Sequence, residues 1–94
     1  IAPAEIEEVL LTMPEVAEAC VVGIPDDEWG QQIAAVLVLR PGAELSADAV
    51  KAAVRAALRG SKTPETVVFR DQLPHTETGK MLRRVVQAEL AGSA

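Results

Sequence analysis

Aromatic residues are nearly missing from this chain: it has no tyrosine, and Trp29 and Phe69 are the lone examples of their kinds. Its core must therefore be built from aliphatic side chains and alanine, and hydrophobic residues do make up 49% of the sequence. Cysteine is just as scarce. Cys20 has no partner in the chain, which excludes an intrachain disulfide, fits a reducing compartment and leads us to expect a cytoplasmic protein. An excess of basic charge is absent too. The net charge is −5, which argues against a general nucleic-acid binder, because such binding rests on neutralising phosphates. No apolar run approaches the ~20 residues that a membrane-spanning helix needs, and no signal peptide is visible. There is no initiator methionine either: the chain starts at Ile1 in helix-like sequence and reads as a piece of something longer. Its 94 residues suit one small domain with a modest core.

What is present alternates between helix and strand patterns. Pro3 and the acids after it have helix-start chemistry, and Ile6, Val9, Leu10 and Met13 recur at helical spacing until Pro14. A β-rich run over 19–24 leads into a polar loop at Pro25, Asp26, Asp27 and Glu28. The run 33–39 is almost continuously apolar, which predicts a strand covered on both faces, followed by a Pro41-Gly42 turn. Ser46 is placed to cap a second helix whose apolar face is Val50, Ala53, Val54, Ala57 and Leu58, and Gly60 stops it. A third strand is expected over 66–69. A last helix is expected over about 80–90, burying Leu82, Val85, Val86 and Leu90, with a frayed tail at 91–94. Together these predict one α+β domain over 1–94. It has two layers, about three strands including an antiparallel pair around the Trp29 loop, and about three helices.

The segment 73–84 carries the most chemistry. Lys80 follows Gly79 at the end of a polar loop, and an apolar-periodic segment begins just after it. If that segment is helical, Lys80 opposes the helix dipole at a cost of roughly 0.3–1 kcal/mol. Since helix amino termini attract anions, the lysine makes most sense beside a phosphate or carboxylate. An ordinary exposed lysine is the plain alternative.

The matching residues are Pro3-Ala4-Glu5-Ile6-Glu7, Val22-Gly23-Ile24-Pro25-Asp26, Trp29-Gly30, Pro41-Gly42, Lys62-Thr63-Pro64 and Pro74 through Arg84. Each is weak alone, but their order and spacing are specific. Over nearly its whole length the chain resembles the small C-terminal domain of the adenylate-forming superfamily, which comprises acyl-CoA synthetases, peptide-synthetase adenylation domains and luciferases. The resemblance implies a two-step enzyme: a carboxylate attacks the α-phosphate of ATP, and a thiol then displaces AMP from the acyl-adenylate. The family's catalytic lysine falls on Lys80, Gly79 supplies freedom to its loop, and Trp29 falls where CoA-forming relatives contact the thiol substrate. The resemblance also implies an N-terminal adenylation domain as partner, holding ATP, Mg2+ and the carboxylic acid, with CoA or a carrier protein as acceptor. On this reading the fragment alone is inactive.

Two places depart from the pattern. CoA ligases of this family often carry an aromatic residue before Lys-x-Pro and a basic one after it, whereas here Ser61 and Glu65 occupy those places. The leading expectation is an acyl-CoA synthetase acting on fatty or related acids. The alternatives are an adenylation domain that loads a carrier protein, or a docking module that does no chemistry. Asp26, Asp27 and Glu28 read as a solvated turn rather than a metal site, and no metal ligand set is expected in the chain. His75 reads as a loop residue, Thr76 and Thr78 as turn or cap residues, Arg83 and Arg84 as solvated or paired with the larger domain, and Cys20 as inert packing.

Overall fold

The computed structural model describes residues 3–26, 30–58 and 63–92. It contains α1 (Pro3–Leu11), β1 (Val16–Asp26), β2 (Gly30–Leu39), α2 (Ala47–Leu58), β3 (Thr66–Arg70) and α3 (Arg83–Gly92). The sheet order is β1-β2-β3. β1 and β2 are antiparallel, with Cys20 opposite Val36 and Asp26 opposite Gly30, whereas β3 runs parallel to β2, with Val68 opposite Val36. The parallel step from β2 to β3 is bridged by α2, as a crossover requires. The α+β class, the antiparallel pair and the three helices are as the sequence leads one to expect. Trp29, Asp27 and Glu28 in the loop between β1 and β2 lie outside the described residues, as do Gly60, Ser61 and Lys62.

The central strand explains the layering. Residues 33–37 of β2 are all buried, so its alternate side chains must be covered from two directions. On one face Ile33, Ala35 and Leu37 join Ala19 and Val21 of β1, Ile6 and Leu10 of α1, and Val50 and Val54 of α2. On the other, Ala34 and Val36 join Cys20, Val22 and Ile24, with Val86 of α3 and Leu73 closing the cluster. Helices therefore lie on both sides of the sheet, a correction to the expected two layers. A register shift between Val16 and Glu18 resets the alternation, so that Val16 joins the α1/α2 side although Cys20 and Val22 point to the α3 side.

Local chemistry agrees with several boundaries. The Ser46 hydroxyl accepts the Ala49 N–H at 3.1 Å, the expected cap of α2. Ala43 N–H donates to Arg40 C=O at 3.0 Å, closing the Pro41-Gly42 turn, with Gly42 at φ 78°. Two face assignments need correction. Ala57 and Val85 are exposed: Val85 falls about 100° around α3 from the buried Val86, whereas Ala57 shares the face of Val50 and Val54 but sits in the last turn of α2.

Candidate functional site

The Gly79-Lys80 loop is the tip of a small hairpin, and its base is anchored in the core. Leu73 is buried in the α3-side cluster and Met81 packs against it. Between them the two arms pair: Leu82 N–H donates to Pro74 C=O at 2.9 Å, and His75 lies opposite Met81 as an antiparallel bridge. At the tip Thr76 N–H donates to Lys80 C=O at 2.8 Å, and Gly79 N–H donates to Thr76 C=O at 2.9 Å. Gly79 has φ 90°, the left-handed conformation expected at the last position of a three-residue hairpin loop. Its hydrogen gives the turn its shape, and an added Cβ would meet nothing within 4 Å. Thr76 also turns its side chain inward: its Oγ1 accepts the Lys80 N–H at 3.1 Å and lies 2.9 Å from Thr78 Oγ1.

This geometry corrects the expected helix start. α3 begins at Arg83, with Leu82 C=O accepting from Val85 N–H and Val86 N–H. Lys80 is therefore a hairpin residue, and the dipole penalty does not fall on it. The cations in the first helical turn are Arg83 and Arg84, with no acid among them.

Arg83 meets its acid from far along the chain. Its guanidinium forms a two-pronged pair with Glu7 of α1, Nη2 to Oε1 at 3.0 Å and Nη1 to Oε2. Nη1 also donates to Val21 C=O at 3.0 Å, while Val21 N–H donates to Glu7 Oε2 at 2.7 Å. β1 is an edge strand, so these are its outward backbone groups, met by side chains in place of a fourth strand. Two residues on, Gly23 C=O accepts from Gln87 Nε2 at 2.6 Å. These bonds blunt the edge at Val21 and Gly23 as a template for another chain. The hydrogen bond that Arg83 donates to Glu7 raises its already high pKa further, against a smaller effect of burial. Burial pushes the Cys20 thiol up, the Arg83 charge opposes this and the Glu7 charge adds to it. Sequence reading missed this clamp. Its one visible sign was a pair of arginines at a helix start with no acid nearby.

Lys80 is exposed, and among the described residues no carboxylate forms an ion pair with it. His75, at the hairpin base, does find one: its Nε2 lies 3.1 Å from Glu18 Oε1. Beside that pair is a depression of about 230 Å³ lined by Leu11, Ala17, Glu18, Ala19, His75 and Met81. Lys80 does not line it; it stands exposed at the hairpin tip. Among the described residues no group of three or more His, Cys, Asp or Glu could hold a metal ion. No described helix is long and apolar enough to cross a membrane. Trp29 lies outside the described residues.

Residues 5–80 match the family model described as the AMP-binding enzyme C-terminal domain. The chain is 41% identical over 93 residues to a 4-chlorobenzoate–CoA ligase of Pseudomonas sp. (strain CBS-3), covering 98% of this chain and 18% of that protein. It is 44% identical over 97 residues to an acetyl-coenzyme A synthetase of Methanothrix soehngenii, covering 99% of this chain and 14% of that protein. Among solved structures, ATP-bound MatB from Rhodopseudomonas palustris superposes with a TM-score of 0.92 at 31% identity, over 97% of this chain and 18% of that one. The chain therefore belongs to the AMP-binding enzyme C-terminal domain family, and spans less than a fifth of each of these relatives.

Proposed function

We propose that residues 1–94 form the mobile C-terminal domain of an ATP-dependent, AMP-forming acid–thiol ligase, an acyl-CoA synthetase acting on fatty or related carboxylic acids in the cytoplasm. In this reading Lys80 serves the adenylation step. The observation that carries the proposal is an unpaired ammonium held out on an ordered hairpin tip, in a chain related to CoA ligases and synthetases. A charge so placed is available to a second domain that brings two anions together.

The chemistry asks little of the protein in covalent terms. A carboxylate oxygen forms a bond to the α-phosphorus of ATP, the bond from that phosphorus to the bridging oxygen breaks, and pyrophosphate leaves. No proton moves. The barrier lies in bringing like charges together in line, and an ammonium touching both lowers it by charge neutralisation and orientation. A lysine suits this as a compact charge on a flexible stem. In the second step the thiol sulfur bonds to the acyl carbon and gives up its proton to solvent, the bond from that carbon to the phosphate oxygen breaks, and AMP leaves. The domain rotates between the steps, withdrawing Lys80 and bringing Trp29 towards the thiol substrate. ATP and Mg2+ are assigned to the N-terminal domain, and CoA to the interface.

One observation favours a second reading. Ser61 and Glu65 stand where CoA ligases often carry an aromatic and a basic residue, which favours a carrier protein as thiol acceptor over a nucleotide. Both readings are tested in the full-length enzyme. Lys80→Ala should lower acyl-adenylate formation about 10²–10³-fold and leave thioester formation from supplied acyl-adenylate intact. Equal loss of both half-reactions, or of neither, would sink the assignment. Offering CoA and carrier proteins side by side identifies the acceptor.

A further inference from the structure

We propose that Thr76 is a positioning residue for Lys80, an inference that rests on the adenylation role given to that lysine. Residues 75–80 are all exposed, so burial does not hold the Lys80 side chain in place. Its direction must come from its backbone, and Thr76 grips that backbone at both ends of the residue. The Thr76 N–H donates to Lys80 C=O at 2.8 Å, and the Thr76 Oγ1 accepts the Lys80 N–H at 3.1 Å. With both peptide groups of Lys80 tied to one residue, its φ and ψ are fixed and its Cα–Cβ bond is aimed. The backbone half of this grip survives any substitution, but the hydroxyl half belongs to Thr76 alone.

The hydroxyl is no ordinary turn bond. The turn is already closed by Gly79 N–H to Thr76 C=O at 2.9 Å. What Oγ1 adds is a partner for the Lys80 N–H on the far side of the glycine, the bond that ties the lysine to the turn. Thr78 Oγ1, 2.9 Å from Thr76 Oγ1, holds the hydroxyl in its rotamer. A cation that must reach a phosphate across a domain interface has a long lever arm, so a small loss of aim at the backbone becomes a larger error at Nζ.

The test uses the full-length enzyme with Thr76→Val, which keeps the branched shape and removes the hydroxyl, and Thr76→Ser, which keeps the hydroxyl. Thr76→Val should lower the kcat of acyl-adenylate formation about ten-fold, the scale of one lost hydrogen bond. The KM for ATP and thioester formation from supplied acyl-adenylate should stay unchanged. Thr76→Ser should restore most of the rate. Amide exchange at Lys80 should quicken in Thr76→Val and return in Thr76→Ser. Two results overturn the inference: Thr76→Val at the parent rate beside a damaging Lys80→Ala, or both half-reactions falling together with the melting temperature. A neutral Lys80→Ala overturns the Lys80 reading itself, and so is told apart from failure at Thr76.

Discussion

Lys80 and Arg83 are both cations of the same twelve-residue motif, and the structure uses them in opposite ways. Arg83 is consumed within the domain: one carboxylate, Glu7, and one backbone carbonyl, that of Val21, take up its guanidinium. Lys80 is spared. The polar groups around it, in Thr76 and Thr78, bond to its main chain and to each other, leaving its ammonium exposed. A fork-shaped cation is placed where planar, multi-point bonding is needed, and under the proposed function the point charge is the one that meets a visiting anion.

Exchanging the two phenotypes would break that comparison. Lys80→Ala has the largest expected effect, the 10²–10³-fold loss of adenylation given above, with the unfolding free energy unchanged. Arg83→Met should do the reverse in kind: denaturation of the 94-residue chain should show a loss of about 1.5–3 kcal/mol, the range for hydrogen bonds to charged groups. Glu7→Gln should cost a similar amount, and the double variant should cost clearly less than the sum, because the two residues share one interaction. Additive losses would mean that the pair contributes nothing as a pair. A weak effect is not expected here, although exposed ion pairs often give one. The Glu7 side chain keeps only 13% of its exposure, and its carboxylate also accepts the Val21 N–H at 2.7 Å.

A smaller effect tests the hairpin itself. Gly79→Ala puts a side chain on a residue at φ 90°, where an L residue is disfavoured by roughly 1–2 kcal/mol. Space is not the obstacle, since the added Cβ would meet nothing within 4 Å. The expected result is a loosened tip: faster amide exchange at Lys80 and reduced adenylation, with exchange in β1 and β2 unaltered. Gly79→Asn should be milder, because asparagine tolerates the left-handed region. Equal behaviour of the two variants would show that the turn does not need this conformation.

The two regions also differ in how far the sequence reveals them. Short-range signals were legible. The 33–39 run announced a strand covered on both sides, Ser46 the cap of α2, and Pro41-Gly42 the turn between them. The Gly-Lys loop stood out through its own residues. Its conformation did not, because Met81, Leu82, Val85 and Val86 have helical spacing and invite the helix to start at Lys80. The Thr76–Lys80 backbone bond and the Pro74–Leu82 bond take those residues into a hairpin first, and the helix begins only at Arg83. The Glu7–Arg83 pair was out of reach for another reason: its members are 76 residues apart, and no periodicity links an acid on the first helix to an arginine at the start of the last.

The smallest expected effect concerns Cys20, and it separates two physical roles of the clamp. Cys20 is fully buried on the α3 side of the sheet, and burial raises its thiol pKa. A thiol reagent at mildly alkaline pH should therefore label it only when α3 lifts away, since the thiolate is the reactive form. Arg83 and Glu7 could influence that labelling through charge or through opening, and the two routes predict different signs. Through charge alone, Arg83→Met removes the cation that lowers the pKa and should slow labelling, while Glu7→Gln removes the anion that raises it and should speed labelling. Through opening, both variants free the start of α3 from β1 and both should speed labelling. We expect the second pattern, at a few-fold, because lifting α3 releases only part of the clamp energy. Lys80→Ala should leave the rate untouched. A slower rate in Arg83→Met would show that the clamp acts on Cys20 by its field while α3 is held by Val86, Gln87 and the Arg70–Glu89 pair.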